Sequence, residues 1–397
     1  MTMNKLWRIS KNNKNLSKFS KKNFEFNYNG TFIQSSLWIL MVLLVACAPA
    51  AQQPVKIGAI AALTGNLANI GSEERIGLEI AVDEINSQGG INGRPIQLIW
   101  EDGKCDPKEA TTAATKLAEV DGVKVIMGGT CTGESMAIAK IADAGKIIQM
   151  SSVTSGSVYS GTGPWTYRTN PVDNAKDLVD YLISKGYKKF AMINEQTDFS
   201  QAIKKDFRKL VEANNGQIVA EENVDGKETD FKTSLAKLQE SGADAYFLNS
   251  NSGPVGVLFA KQAKELGLAP LYGSRGYEGA KVSDYPNELE GIIFYSTVGV
   301  VNMDTPQAQK LFSEYEKKTG KKSFSPFAVA SRYDGMKLIA KAMQKCGEDT
   351  ACIKEYLNTM PAYEGVIGTF TFDENGDPQG IKYAFAVIHG GKIEPLK

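Results

Sequence analysis

From residue 55 onward, short apolar runs alternate with longer amphipathic stretches. Val55-Lys-Ile-Gly-Ala-Ile60 has the length and β-branched content of a strand, whereas 73–88 places Ile76, Ile80 and Ile85 on one helical face. The same pattern predicts strands at 96–100, 123–127 and 147–150, and helices at 107–119 and 134–142. Apolar strands separated by helices imply a parallel sheet with right-handed crossovers and helices on its faces.

A second series starts near 173, with helices at 175–185, 200–213, 231–240 and 254–266 and strands at 189–194, 217–221, 243–249 and 269–272. A strand at 291–298 reads as a crossing between halves. Helices follow at 306–318, 326–344 and 353–360, then strand-like runs at 369–372 and 382–388. The expected fold class is therefore α/β, with two similar Rossmann-like halves and no fixed short repeat.

Composition is that of a globular chain, and 397 residues suit two or three domains. The formal charge is zero, but residues 1–46 hold seven basic side chains and one acid, leaving 38 basic and 44 acidic residues, a net −6. That balance does not suggest nucleic acid. Residues 1–46 read as a signal peptide of lipoprotein type, with an apolar segment at 37–46 too short for a comfortable span. Its length also suggests a true start downstream of Met1. Leu44-Val45-Ala46-Cys47 resembles a bacterial lipobox, which makes Cys47 the lipidated mature terminus and 47–54 a tether. Cleavage after Ala48 or Ala50, and an uncleaved anchor, are the competing readings. All three put the folded part outside the cytoplasm, where an ATP site is implausible.

With Cys47 carrying lipid, Cys105, Cys131, Cys346 and Cys352 remain, an even number that suggests two disulfides in an exported chain. Cys346 and Cys352 are near neighbours, which leaves Cys105 with Cys131. Zinc is the alternative, but no CxxC occurs and His389 is the single histidine. Neither metal nor cofactor is expected.

Open α/β sheets bind ligands beyond the carboxyl ends of their strands. The third strand leads into Gly128-Gly129-Thr130-Cys131-Thr132-Gly133-Glu134-Ser135, nearly a phosphate-binding loop with Glu134 where the lysine belongs. A glutamate repels phosphate. What survives is a helix N-terminus suited to a small anion such as a carboxylate, or a helix merely capped by Thr130 or Thr132. The neighbouring loops hold Asn69-Ile70-Gly71, Ser151-Ser152-Val153-Thr154, Asp198-Phe199, Asn249-Ser250-Asn251-Ser252 and Gly273-Ser274-Arg275-Gly276. Hydroxyls, amides and glycines suit recognition more than catalysis, and no enzyme is expected. His389 at a strand end reads as structural or exposed. Ser155-Gly156-Ser157 lacks the nucleophile-elbow spacing, and Glu101 and Asp102 point to opposite faces of their strand. Trp100, Trp165, Tyr181 and Tyr333 read as core or hinge packing, and Lys317-Lys318 and Lys321-Lys322 as solvated surface.

Several stretches together resemble one family: Val55-Lys-Ile-Gly-Ala59, Ile85-Asn-Ser-Gln-Gly-Gly-Ile-Asn-Gly-Arg-Pro95, Glu101-Asp102 with Cys105-Asp-Pro107, Arg168-Thr169, Asp230-Phe231, Tyr333-Asp334-Gly335 and Gly368-Thr-Phe-Thr-Phe-Asp373. They resemble the extracytoplasmic solute-binding proteins of ABC transporters, of the branched-chain amino acid type (type I periplasmic binding proteins), over nearly all of 55–390. The resemblance implies two lobes, 55–172 with 298–382 and 173–297 with 383–397, joined by a three-segment hinge and closing on a ligand. It implies the Cys105–Cys131 bridge as well. It implies a monomer, held to the membrane by its lipid, that delivers a small solute to ABC permease subunits. A sensory receptor of the same fold is the alternative.

By the same resemblance, Thr132, Ser152 and Thr154 would hold the ligand carboxylate, with Thr130 and Ile70 beside them. Phe199 stands where a tyrosine usually covers the ligand, and Asn251 or Ser252 where a second tyrosine stands. Arg275 occupies the place of the acidic residue that pairs with a ligand α-ammonium, and a guanidinium beside an ammonium is repulsive. Either Glu278 takes that role, or the solute is an amine-free, dicarboxylic or aromatic acid, or Arg275 points to solvent.

Overall fold

The computed structural model describes residues 53–173 and 175–396; the expected signal peptide, Cys47 and nearly all of the expected tether lie outside them. The first half builds β1 (Val55–Ala61), α1 (Ala68–Ser87), β2 (Ile96–Asp102), α2 (Pro107–Thr115), β3 (Val125–Met127), α3 (Thr132–Gly145), β4 (Ile148–Ser151) and β5 (Thr166–Arg168). Its strands form one parallel sheet in the order β2-β1-β3-β4-β5. The strand β5 has no counterpart in the sequence reading. It is three residues long and ends on the fully buried Arg168, so no apolar run marks it.

The second half builds α4 (Lys176–Ser184), β6 (Lys189–Glu195), α5 (Asp198–Ala213), β7 (Gln217–Val224), α6 (Lys232–Glu240), β8 (Ala245–Asn249), α7 (Gly253–Glu265), β9 (Leu271–Gly273) and β10 (Ile293–Ser296). The chain then returns to the first sheet with α8 (Pro306–Thr319), α9 (Pro326–Cys346) and α10 (Thr350–Thr359), followed by a small antiparallel sheet of β11 (Tyr363–Gly365), β12 (Gly368–Phe372) and β13 (Pro378–Gln379). It ends in the second sheet with β14 (Ala384–His389) and β15 (Lys392–Pro395). That sheet runs β15-β14-β10-β9-β8-β6-β7, antiparallel at the β14 and β15 end and parallel elsewhere. The chain thus passes between lobes three times: between β5 and α4, between β10 and α8, and between β13 and β14.

Local chemistry sets the helix ends. Asp106 accepts the amides of Lys108 and Glu109 at 2.8 and 3.0 Å ahead of Pro107, and Thr305 accepts that of Ala308 at 3.2 Å ahead of Pro306. Gly320, at φ 73°, ends α8 in the left-handed region that costs glycine nothing.

Both faces of each sheet are covered, as parallel sheets require. Leu78, Ile339 and Met343 from α1 and α9 pack on Ile57 and Met127, while Leu117 and Ile138 cover Ile60 and Ile126 on the opposite face. The α1–α9 contact brings backbones together: a Cβ on Gly77 would lie 2.3 Å from the Val329 carbonyl oxygen. In the second lobe Leu235, Phe259 and Tyr277 cover one face and Leu178 and Phe207 the other, with Phe207 stacked on Phe247 at 4.6 Å.

The strand order reverses between β1 and β3 in one sheet and between β8 and β6 in the other. At such switch points the following loops part and leave a crevice.

Candidate ligand cleft

The two crevices face each other. In the first lobe, the loop between β3 and α3 is organised by Glu134. Its Oε2 accepts the amides of Thr130 (2.7 Å) and Cys131 (3.1 Å), closing one half of a capping box at the start of α3. A Cβ on Gly103 would meet Glu134 Oε1 at 1.7 Å, so only glycine leaves room for that carboxyl. Glu134 is fully buried, and burial pushes its carboxyl up to about 7. The residue in the lysine position of the apparent phosphate loop therefore turns inward and serves its own loop. It also occupies two amides that would otherwise be open to a ligand. The first-turn amides at Thr132, Gly133 and Glu134 have no intrahelical carbonyl to meet.

The second lobe repeats this device. Glu195 Oε2, at the end of β6, accepts the amides of Asn251 (2.6 Å) and Ser252 (3.2 Å) in the loop after β8, and burial raises its carboxyl too. Each wall of the crevice thus has a buried glutamate holding two consecutive amides.

Beneath the first wall lies a fully buried ion pair, Arg332 Nη2 to Glu74 Oε1 at 2.7 Å. Glu74 also accepts the hydroxyls of Thr130 (2.5 Å) and Ser152. Arg332 Nε and Nη1 and Glu134 Oε1 find no partner among the described residues.

Between the lobes lies a cavity of ≈ 60 Å³, room for several waters. One end is polar, with Thr130, Thr132, Thr154 and Ser155; the wall beside it is apolar, with Leu67, Ile70, Phe199, Phe327 and Ala328. The Thr132 and Ser155 side chains make no hydrogen bond among the described residues, so both hydroxyls are unclaimed at the polar end. The Thr154 hydroxyl lies 2.5 Å from that of Ser135. Past Phe199 and Asn251 the cavity continues into a wider cleft of ≈ 610 Å³ lined by Gln196, Gln201 and Asn223. The lobes meet around it: Asn69 Nδ2 donates to the Gly279 carbonyl at 3.0 Å, and Ser157 Oγ to Asp206 at 2.5 Å.

Arg275 and Glu278 are the charged residues on the cavity wall among the described residues. Arg275 is only 9% exposed, so it does not point to solvent. Its Nε lies 3.3 Å from Glu278 Oε2, Nη1 donates to Tyr383 Oη at 3.1 Å, and Nη2 lies 3.5 Å from the Val153 carbonyl. Glu278 accepts the Ser296 hydroxyl (2.6 Å), the Thr297 hydroxyl (2.9 Å) and the Thr297 amide.

Thr130, Thr132, Thr154, Phe199, Asn251, Arg275 and Ile70 are therefore brought to one cavity. Ser152 is not; its hydroxyl donates to the buried Glu74 beneath the wall, while Val153, Thr154 and Ser155 line the cavity. Ser252 is buried off the wall. Sequence reading missed Ser155, considered there only as a nucleophile, and the wall residues Leu67 and Phe327, which carry no motif. Cys105 with Cys131 and Cys346 with Cys352 lie at disulfide distance, and the first pair borders the wide cleft. Glu101 pairs with Lys116 and Asp102 binds Thr64, so the two acids act separately. His389 is exposed beside Glu290 at 2.5 Å. Among the described residues no acidic, histidine or cysteine cluster is arranged to hold a metal, and no helix is long and apolar enough to cross a membrane.

Two α/β lobes with a small cavity between their switch points have the architecture of a two-lobe ligand-binding protein. The chain belongs to the periplasmic binding protein family, which it matches over residues 54–392. It is 27% identical over 346 residues to the leucine-, isoleucine-, valine-, threonine- and alanine-binding protein of Pseudomonas aeruginosa, covering 85% of this chain and 91% of that one. The crystal structure of the branched-chain amino acid transporter substrate-binding protein LivJ from Streptococcus pneumoniae, solved with isoleucine, superposes with a TM-score of 0.76 at 25% identity, covering 86% and 98% of the two chains. An ABC-transporter solute-binding protein from R. palustris, solved with benzoate, shares the fold at 22% identity, with a TM-score of 0.74 over 86% and 95%.

Proposed function

We propose that this protein is the solute receptor of an ABC importer, anchored outside the cytoplasm through lipid on Cys47, and that it closes as a monomer on a small carboxylate-bearing solute. The observation that carries this is the asymmetry of the cavity: the unclaimed hydroxyls of Thr132, at the start of α3, and of Ser155, in the loop after β4, against an apolar wall of Leu67, Ile70 and Phe327. A carboxylate at the polar end meets hydroxyl donors and the positive end of a helix, while an apolar body fills the rest. The moving bodies would be 55–172 with 298–382 and 173–297 with 383–397. Ligand touches both only when they close, so binding shifts the population toward closure.

The named ligands of the P. aeruginosa and S. pneumoniae relatives support a branched-chain amino acid. A specific observation favours a second solute, an acid without an amine. Glu278 is the one acidic side chain on the cavity wall among the described residues, and it is already engaged by Arg275, Ser296 and Thr297. An α-ammonium would find no free carboxylate on that wall; the Asp198 carboxylate lines the wider cleft beyond Phe199 instead.

The test is a thermal-shift panel on protein unfolded and refolded to strip carried ligand. It would span aliphatic, polar and acidic amino acids, their deaminated acids, dicarboxylates and aromatic acids. A true ligand at ~1,000 times its Kd adds about 4 kcal/mol of apparent stability. Leucine, isoleucine or valine shifting the melt supports the amino-acid solute; a response confined to amine-free acids supports the second. Replacing Cys47 with serine and following detergent-phase partitioning in cells tests the anchor.

A further inference from the structure

The ion pair Arg275–Glu278 touches two passages of the chain between the lobes directly and reaches the other through the Tyr383 hydroxyl. Arg275 Nη1 donates to the hydroxyl of Tyr383, in the passage between β13 and β14. That hydroxyl lies 2.8 Å from the Pro171 carbonyl and 3.1 Å from Asn170 Oδ1, in the passage between β5 and α4. Asn170 in turn donates to the Val153 carbonyl at 2.6 Å, the oxygen that Arg275 Nη2 also approaches. Glu278 holds Ser296 and Thr297, where the chain leaves β10 for the passage to α8. Arg275 is anchored in the second lobe, and Val153 belongs to the first. All these groups are buried or half-buried, where charge-assisted hydrogen bonds hold firmly.

Resting on the proposal that the cavity is the solute site, we infer that Arg275 and Glu278 are a positioning pair that ties the cavity wall to all three hinge passages and holds the lobes toward the closed arrangement. Three of the guanidinium's directions are spent on protein atoms, and Glu278 offsets its charge. Arg275 therefore sets how readily the protein closes, and leaves discrimination between solutes to the rest of the wall. When closure is the binding-competent state, apparent affinity scales with the fraction already closed. Loosening the pair weakens every solute by one common factor.

Tyr383 makes the test clean, because its hydroxyl holds Arg275 while the residue lies off the cavity wall. Tyr383→Phe and Arg275→Met would be compared with the wild type by small-angle X-ray scattering of ligand-free protein, well below the melting temperature. Isoleucine, its deaminated oxo acid, benzoate and succinate would serve as calorimetric probes. The expected result is a larger radius of gyration for both variants. Affinity should fall about 3-fold or more in Tyr383→Phe and about 10-fold or more in Arg275→Met, equally for each probe that binds. Scattering curves identical to the wild type in both variants would overturn the inference. So would a loss confined to diacids, which would make Arg275 a ligand contact. The scattering result stands whichever solute binds, so a wrong solute class and a wrong hinge assignment give different outcomes.

Discussion

Replacing Glu134 with glutamine should remove a pH dependence that the wild-type protein carries. Glutamine keeps a carbonyl oxygen for the Thr130 and Cys131 amides but cannot ionise. In the folded protein burial lifts the Glu134 carboxyl to about 7, with the two amides and Arg332 opposing and the charge of Glu74 assisting; its ordinary value is 4.5. Between those values the folded state keeps a proton that the unfolded chain has released. Stability from this group is therefore full below about pH 4.5 and is lost as pH rises through about 7. A gap of some 2.5 units at ~1.36 kcal/mol per unit gives about 3 kcal/mol across the window. Urea unfolding of both proteins, followed by circular dichroism at half-unit steps from about pH 4.5 to 8, measures it. Asp173 and Asp334, lifted by burial to about 7 and about 6, titrate in both proteins and cancel in the difference. The wild type should lose about 3 kcal/mol relative to the variant as pH rises. A difference flat to within ~0.5 kcal/mol would mean the carboxyl is already ionised at pH 5, with the amides and Arg332 outweighing burial.

Three further outcomes follow from the same geometry. Thr132→Val removes an unclaimed hydroxyl at the polar end and should weaken the solute that responds in the thermal panel about 10- to 100-fold by calorimetry, with little change in unfolding midpoint. Glu74→Ala leaves Arg332 buried with no counter-charge and should cost about 3–5 kcal/mol in chemical unfolding. Replacing both members of a cysteine pair with serine should cost about 2 kcal/mol for Cys346–Cys352, which are 6 apart, and about 3.5 kcal/mol for Cys105–Cys131, which are 26 apart, because the longer loop restrains the unfolded chain more.

The lobes were readable because Val, Ile and Ala runs alternate with amphipathic helices, and burial on both faces of a parallel sheet enforces that pattern. Boundaries drifted where capping, not hydrophobicity, decides: α3 begins at Thr132 because Glu134 caps from inside the helix, and α1 begins five residues before the expected 73. The cavity loops were found by their place after the strands. Orientation within them was not, since nothing in Ser152 or Thr154 says which faces Glu74. The buried pair of Glu74 and Arg332 was invisible for a simpler reason: 258 residues separate them, and each reads as an ordinary charged helix residue.

That separation has a consequence for how the protein comes into being. Helix α9, which brings Arg332 to Glu74 and packs its backbone on Gly77, is synthesised only after the second-lobe elements from α4 to β10, and before its last strands, β14 and β15. Until then α1 lacks its packing partner, and the carboxylate of Glu74 lacks its counter-ion. The first lobe begins the chain but cannot be finished first, so the two lobes mature as one event, late and dominated by distant contacts. A chain arrested short of residue 326 would hold both sides of the Cys105–Cys131 link and still have no completed lobe to show for it.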